Sequence, residues 1–72
     1  MGLSAAEKIK IIAKRRGMTM GEIADRRGES RQNLSNKIRR DNFSERELRE
    51  IAEVLNCTLS IEFVFKDTNE RI

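Results

Sequence analysis

Between Arg31 and Lys37 the chain reads RQNLSNK, and every residue of that run except Leu34 carries a hydrogen-bonding or charged side chain. Arg31 offers a planar fork of donors, and the amides of Gln32, Asn33 and Asn36 each offer a donor beside an acceptor. Ser35 adds a hydroxyl and Lys37 a cation. That mixture suits the base edges and phosphates of a nucleic-acid duplex. Arg matches the O6/N7 acceptors of guanine, Asn and Gln match the N6/N7 pair of adenine, and cations match phosphate. Arg31, Gln32, Asn33 and Asn36 are therefore the candidate base readers. Asn33 and Asn36 are also poor helix formers where Ala or Glu would serve better, a concession that favours function over an unoptimised surface. Lys37, Arg39 and Arg40 are candidate phosphate contacts, and a basic helix C-terminus also balances the helix dipole.

These side chains act together only if one helix carries them. Ser30 can cap such a helix, and Leu34 and Ile38 share one face, which predicts a helix over 31–39. Just before it, Thr19 with Glu22 forms a capping box for a helix over 20–27, with Ile23 and Ala24 inward and Gly28 as the turn. Two short helical patterns meeting at one glycine predict a helix-turn-helix over about 19–39. Ser4 with Glu7 opens an earlier helix over 5–16, which turns Ile9, Ile12 and Ala13 inward and ends at Gly17 as a left-handed cap. Asp41 and Asn42 break the pattern after the third helix. Ser44 with Glu47 then opens a fourth over 45–55, whose stripe is Leu48, Ile51, Ala52 and Leu55, with Phe43 as a hydrophobic staple. The acidic residues of that helix read as a solvated face.

Seventy-two residues make one small folding unit, of a size that buries only about 60% of its unfolded surface and gains from dimerisation. Residues 1–40 hold eleven Lys/Arg against four acids, and residues 41–72 hold four against eight, so net charges of +7 and −4 divide the chain. A basic half facing a polyanion with an acidic half facing away would orient the encounter. There is no His, and no nucleophile sits beside a base, nor is there a phosphate-binding Gly loop, so the chain is not expected to be an enzyme and no cofactor or metal is expected. Cys57 stands alone, which excludes an internal disulfide and predicts a buried thiol. No segment approaches the ~20 apolar residues that span a bilayer, no signal-peptide run is present, and a cytoplasmic protein is expected.

The register Thr19, Glu22, Ala24, Gly28, Ser30, Gln32, Leu34 and Ser35 resembles the phage-repressor-like helix-turn-helix family, the XRE family that includes the lambda repressor and Cro. The resemblance spans about residues 8–55, some two thirds of the chain. It implies a domain of four or five short helices that binds double-stranded DNA, as a transcriptional repressor, with bases read from the start and middle of the third helix. Here those positions are Arg31, Gln32 and Asn36, with Asn33 and Ser35 close by. The resemblance also implies phosphate contacts from the first turn of the second helix, Thr19 and Met20, and from the loop after the third, which includes Asn42. Ser30 and Ser35 join that phosphate set. Three positions depart from the family pattern. Met20 stands where a glutamine often anchors a phosphate, which leaves backbone N–H groups there. Arg27 and Lys37 stand where apolar residues usually pack, with Ile38 one place after Lys37.

Beyond Asn56, where common family members continue with a helix, the period changes to two. Leu59, Ile61, Phe63 and Phe65 alternate with Ser60, Glu62, Val64 and Lys66, which predicts a strand over 59–66. With no second strand apparent and residues 67–72 polar enough to fray, this strand is expected to pair with its copy in a homodimer, which would act on an inverted repeat. Leu59, Ile61, Glu62, Phe63, Val64, Phe65 and Lys66 are the expected dimerisation residues. Centring the pair on Val64 sets Glu62 opposite Lys66 and turns Ile61, Phe63 and Phe65 toward Ile11, which lies off the inward stripe of its helix and needs a cover. The alternative is a protein-interaction module, such as an antitoxin or phage-borne factor, whose strand augments a partner's sheet. Single-stranded RNA is disfavoured, since no aromatic residue falls on the third helix.

Overall fold

Residues 2–72 are described by the computed structural model. Four helices follow one another: α1 (Ala5–Arg16), α2 (Met20–Arg27), α3 (Arg31–Arg40) and α4 (Glu45–Val54). Each begins where a hydroxyl side chain takes up an N–H left over from the first turn. Ser4, Thr19 and Ser44 close full capping boxes with Glu7, Glu22 and Glu47, whereas Ser30 accepts from the Asn33 N–H at 3.1 Å without a return bond. Gly17 (φ 67°) and Gly28 (φ 73°) end α1 and α2 in the left-handed conformation that lets each chain reverse within a few residues. Asp41 (φ 52°) does the same for α3 without being glycine. These bounds agree with the sequence reading to within one residue, α3 running to Arg40 and α4 stopping at Val54.

The core is small and contiguous. Ile23, Leu34, Ile51 and Leu55 are fully enclosed, joined by Ala6, Ile9, Ala13, Ala24 and Ile38. Phe43, Leu48, Met18 and Met20 pack at its edge. The small residues Ala13 and Ala24 let the helices approach closely. Two polar ties close the bundle. The Asp41 carboxylate accepts from the Ala6 N–H at 2.9 Å, so the residue that ends α3 also caps the first turn of α1. Arg16 donates to the Asn56 carbonyl at 3.3 Å, joining the end of α1 to the end of α4. Cys57 is half-buried, its thiol 3.4 Å from the Leu55 carbonyl, where full burial was expected.

A charged cluster takes the place that the apolar pattern leaves open between α2, α3 and α4. Arg27, whose side chain is only 7% exposed, bonds Glu29 and, at 2.9 Å, Glu50. Lys37 bonds Glu47 and lies 3.5 Å from Glu29, itself 10% exposed. Glu47 and Glu50 are thus engaged partners, not the purely solvated face that α4 was expected to present. The Lys37 ammonium, followed by the Ser44 N–H, holds the Glu47 carboxyl at about 2, well below its ordinary 4.5, against a smaller opposing effect of burial.

The C-terminal segment differs from expectation. Among the described residues no β-strand is formed, and residues 59–66 carry a single antiparallel bridge, from Val64 to Arg71. Phe63 and Ile72 exchange both backbone hydrogen bonds, at 2.8 and 3.0 Å, and the Phe65 N–H donates to Glu70 at 2.9 Å. Residues 70–72 therefore supply the second segment that seemed missing, and they do not fray. The turn that brings them back is local chemistry: Asn69 is left-handed at φ 63°, its N–H donating to Phe65 at 2.8 Å, while Thr68 accepts from the Glu70 N–H at 3.2 Å. Glu62 bonds Arg71 of this return at 2.8 Å. Ile11 stays 40% exposed, and Phe63 and Phe65, expected to turn toward it, are themselves 78% and 44% exposed. Among the described residues no helix is long and apolar enough to cross a membrane.

Two outcomes follow from this packing. Asp41→Asn keeps an acceptor and a tolerance for left-handed backbone, and should cost about 0.5 kcal/mol, while Asp41→Ala keeps neither and should cost about 1–3 kcal/mol in denaturant unfolding. Equal losses would mean that the bond to Ala6 contributes nothing. Because the folded Glu47 carboxyl sits near 2 and an unpaired one at 4.5, its contribution is complete above pH 4.5 and fades as pH falls toward 2. Thermal melts across that window should drop more steeply for the parent than for Glu47→Gln. Parallel curves would show that Lys37 does not hold Glu47.

Candidate nucleic-acid interface

The buried positions of α3, Leu34 and Ile38, fix which of its side chains face outward. Gln32, Asn36 and Arg39, at i, i+4 and i+7, form the stripe opposite the core. Their polar groups are joined: the Asn36 amide oxygen accepts from Gln32 at 3.3 Å and from Arg39 at 2.8 Å. Asn36 is half-buried, whereas Gln32 and Arg39 are exposed. Asn33 and Arg40, also exposed, lie along one flank of this stripe, and Arg31 and Ser35 along the other.

Arg31 links the start of α3 to the start of α2. The stem of Arg31 passes over Gly21, so that a side chain placed on that glycine would come within 3.8 Å of the Arg31 Cδ and 3.7 Å of the Thr19 hydroxyl. The first turn of α2 and the first turn of α3 are therefore neighbours on one surface, with the exposed Thr19 and Ser30 at its edge. The Thr19 hydroxyl is occupied by the Glu22 N–H at 3.1 Å and the Ser30 hydroxyl by the Asn33 N–H at 3.1 Å, so both act first as caps. Met20 is half-buried with its side chain against the core, which leaves the backbone of this turn as its polar surface.

The cations divide into two sets. Among the described residues Arg31, Arg39 and Arg40 have no acidic partner within ion-pair distance. Lys37, expected beside them as a phosphate contact, is instead turned to Glu47 and Glu29, away from the polar stripe. The loop after α3 places Asn42 at the surface, its N–H closing on the Lys37 carbonyl at 3.4 Å.

Sequence spacing identified the polar stripe but not its wiring. The role of Asn36 as the common acceptor for Gln32 and Arg39 follows the i, i+4 and i, i+3 rules and was available from the sequence. The partnership of Lys37 with Glu47 depends on how α4 crosses α3 and had no such sign. What the assembled surface offers is a guanidinium fork, amide donors and acceptors and two further free cations, all on one side of α3 and beside a helix N-terminus, an arrangement able to hydrogen-bond base edges while neutralising phosphates. In comparisons with known proteins, no family model, no curated protein and no solved structure matches this chain.

Proposed function

We propose that the chain is a sequence-specific double-stranded DNA-binding protein, a transcriptional repressor that acts as a homodimer on an inverted repeat. The observation that carries this reading is the outward face of α3: Arg31, Gln32, Asn33, Asn36 and Arg39 lie together, with the exposed amides of Gln32 and Asn33, the half-buried amide of Asn36 and both guanidinium groups unclaimed by any acid among the described residues. In this reading α2, the turn at Gly28 and α3 form a helix-turn-helix, and α3 enters the major groove by its N-terminal half. Arg31 and Gln32 read base edges, with Asn33 and Asn36 beside them. Arg39, Arg40 and the backbone N–H groups at the start of α2 hold the flanking phosphates. The resemblance of residues 8–55 to the phage-repressor-like helix-turn-helix family supports the same docking. The basic half of the chain would face the duplex and the acidic half would face away.

Selection from a randomised duplex library should return an inverted repeat with half-site centres about 10 base pairs apart, or a multiple of that. Affinity should fall by about 10³–10⁵ between roughly 50 and 200 mM salt if a dimer neutralises about 6–10 phosphates. Binding that is absent, or indifferent to salt, would sink the proposal.

The two sets of cations should separate in the same assay. Arg31→Ala or Gln32→Ala should cost about 1–3 kcal/mol and relax preference at one position per half-site, whereas Arg40→Ala should weaken all sequences alike and flatten the salt slope by about one per contact. Lys37→Gln should lower thermal stability yet leave the salt slope unchanged, since Lys37 is committed to Glu47. An unchanged selected sequence and affinity for Gln32→Ala would mean that α3 docks otherwise.

A further inference from the structure

The C-terminal return leaves one backbone edge open, and its charges choose what can sit there. Phe63 directs its N–H and carbonyl to Ile72, and Phe65 directs its N–H to Glu70 and its carbonyl to the Asn69 N–H of the turn. In an extended segment the alternate residues point the other way, and Glu62, Val64 and Lys66 make no backbone hydrogen bond among the described residues. On the faces the same alternation applies. Ile61, Phe63 and Phe65 share one face with Ile72, which lies opposite Phe63, and all four are exposed: 51%, 78%, 44% and 74%. Two short segments joined by a turn are marginal in water with such a face uncovered.

We infer that the open edge of residues 62–66 is the homodimer contact, paired antiparallel with the same edge of a second copy about a two-fold axis at Val64. The inference deepens the homodimer part of the reading above and rests on it. Of the three residues on the edge, Val64 is the one that tolerates its own copy as a neighbour, since an axis at Glu62 or Lys66 sets like charges against each other. With the axis at Val64, each Glu62 faces a Lys66 of the other copy, and Arg71 already lies 2.8 Å from that Glu62. The backbone groups of Val64 bond reciprocally, and those of Glu62 bond with Lys66 of the other copy. The result is one sheet with two segments from each copy, a step beyond a two-stranded ribbon. Its apolar face carries Ile61, Phe63, Phe65 and Ile72 from both. Ile61 also lines a cleft of about 280 Å³ between α1 and α4, so the face adjoins the helices where Ile9, Ile12 and Leu48 approach the surface.

The test uses the full chain in two charge variants, Glu62→Lys and Lys66→Glu, with sedimentation as the readout. Each variant alone places like charges opposite each other at both ends of the contact and should dimerise about tenfold more weakly than the parent. Mixed together they should form a one-to-one heterodimer, because every facing pair is then of opposite sign. Val64→Pro should also abolish dimerisation while leaving helical content and melting of the bundle unchanged, since the Val64 N–H makes no bond within the chain and the substitution removes only the donor on the open edge. A dimeric parent whose charge variants dimerise as well as it does, or whose Val64→Pro remains dimeric, would overturn this contact and leave the homodimer reading standing. A parent that stays monomeric and pairs only with a different protein's sheet would overturn both.

Discussion

The orientation of α3 depends on a cluster of opposite charges where an apolar contact would be the simpler solution. Arg27 and Lys37 meet Glu29, Glu47 and Glu50 between three helices, and the innermost of them are almost fully covered. Replacing such a cluster with packed apolar residues is often neutral or even stabilising, but removing one member leaves a charge uncompensated and is costly. Its distinctive contribution is directional. An apolar side chain at position 37 would accept a range of rotations of α3 about its axis, whereas an ammonium that must reach both Glu47 and Glu29 accepts few. The cluster is also imperfectly satisfied, since the Arg27 Nε and the Glu29 Oε1 lack hydrogen-bond partners, so its energy is not at an optimum for stability.

With α3 set in rotation, its two ends are set in position by caps. All four helices have twelve residues or fewer, too short to persist alone in water, so each depends on packing and on the groups that close its termini. Asp41 matters twice in this respect. Its left-handed backbone ends α3, and its carboxylate satisfies an N–H at the start of α1. The base-reading candidates thus project from a helix held by Ser30 at one end, by Asp41 at the other and by Lys37 along its side.

What the sequence made legible was the local chemistry of the helices. The Ser4, Thr19 and Ser44 boxes, the glycines at 17 and 28 and the spacing of Leu34 with Ile38 place four helices, because each depends on residues within a turn or two of one another. Three features were hidden for one reason, which is that their partners are distant or their geometry is tertiary. Lys37 finds Glu47 through the crossing of α3 and α4. Asp41 finds Ala6 across thirty-five residues. Ile11 was expected to be covered by the C-terminal segment, yet that segment folds on itself, because a turn at Asp67, Thr68 and Asn69 brings residues 70–72 back onto residues 63–65. Those turn residues were visible, and the polarity that suggested fraying was the chemistry of the turn.

The polar stripe on α3 joins a fixed backbone to exchangeable side-chain bonds. Gln32 and Arg39 both rest on the Asn36 oxygen, and on an exposed surface such bonds contribute about 1 kcal/mol each, comparable to what water or a nucleic-acid edge would return on replacing them. Both side chains are therefore poised near their working positions without being locked there. Asn36 is different, because it is half-buried and its oxygen has no better acceptor role than the one it fills. Discrimination arises where the wrong partner leaves a polar group unpaired in a place that water cannot reach. In the stripe opposite the core that condition falls most heavily on Asn36, with Gln32 and Arg39 free to adapt around it.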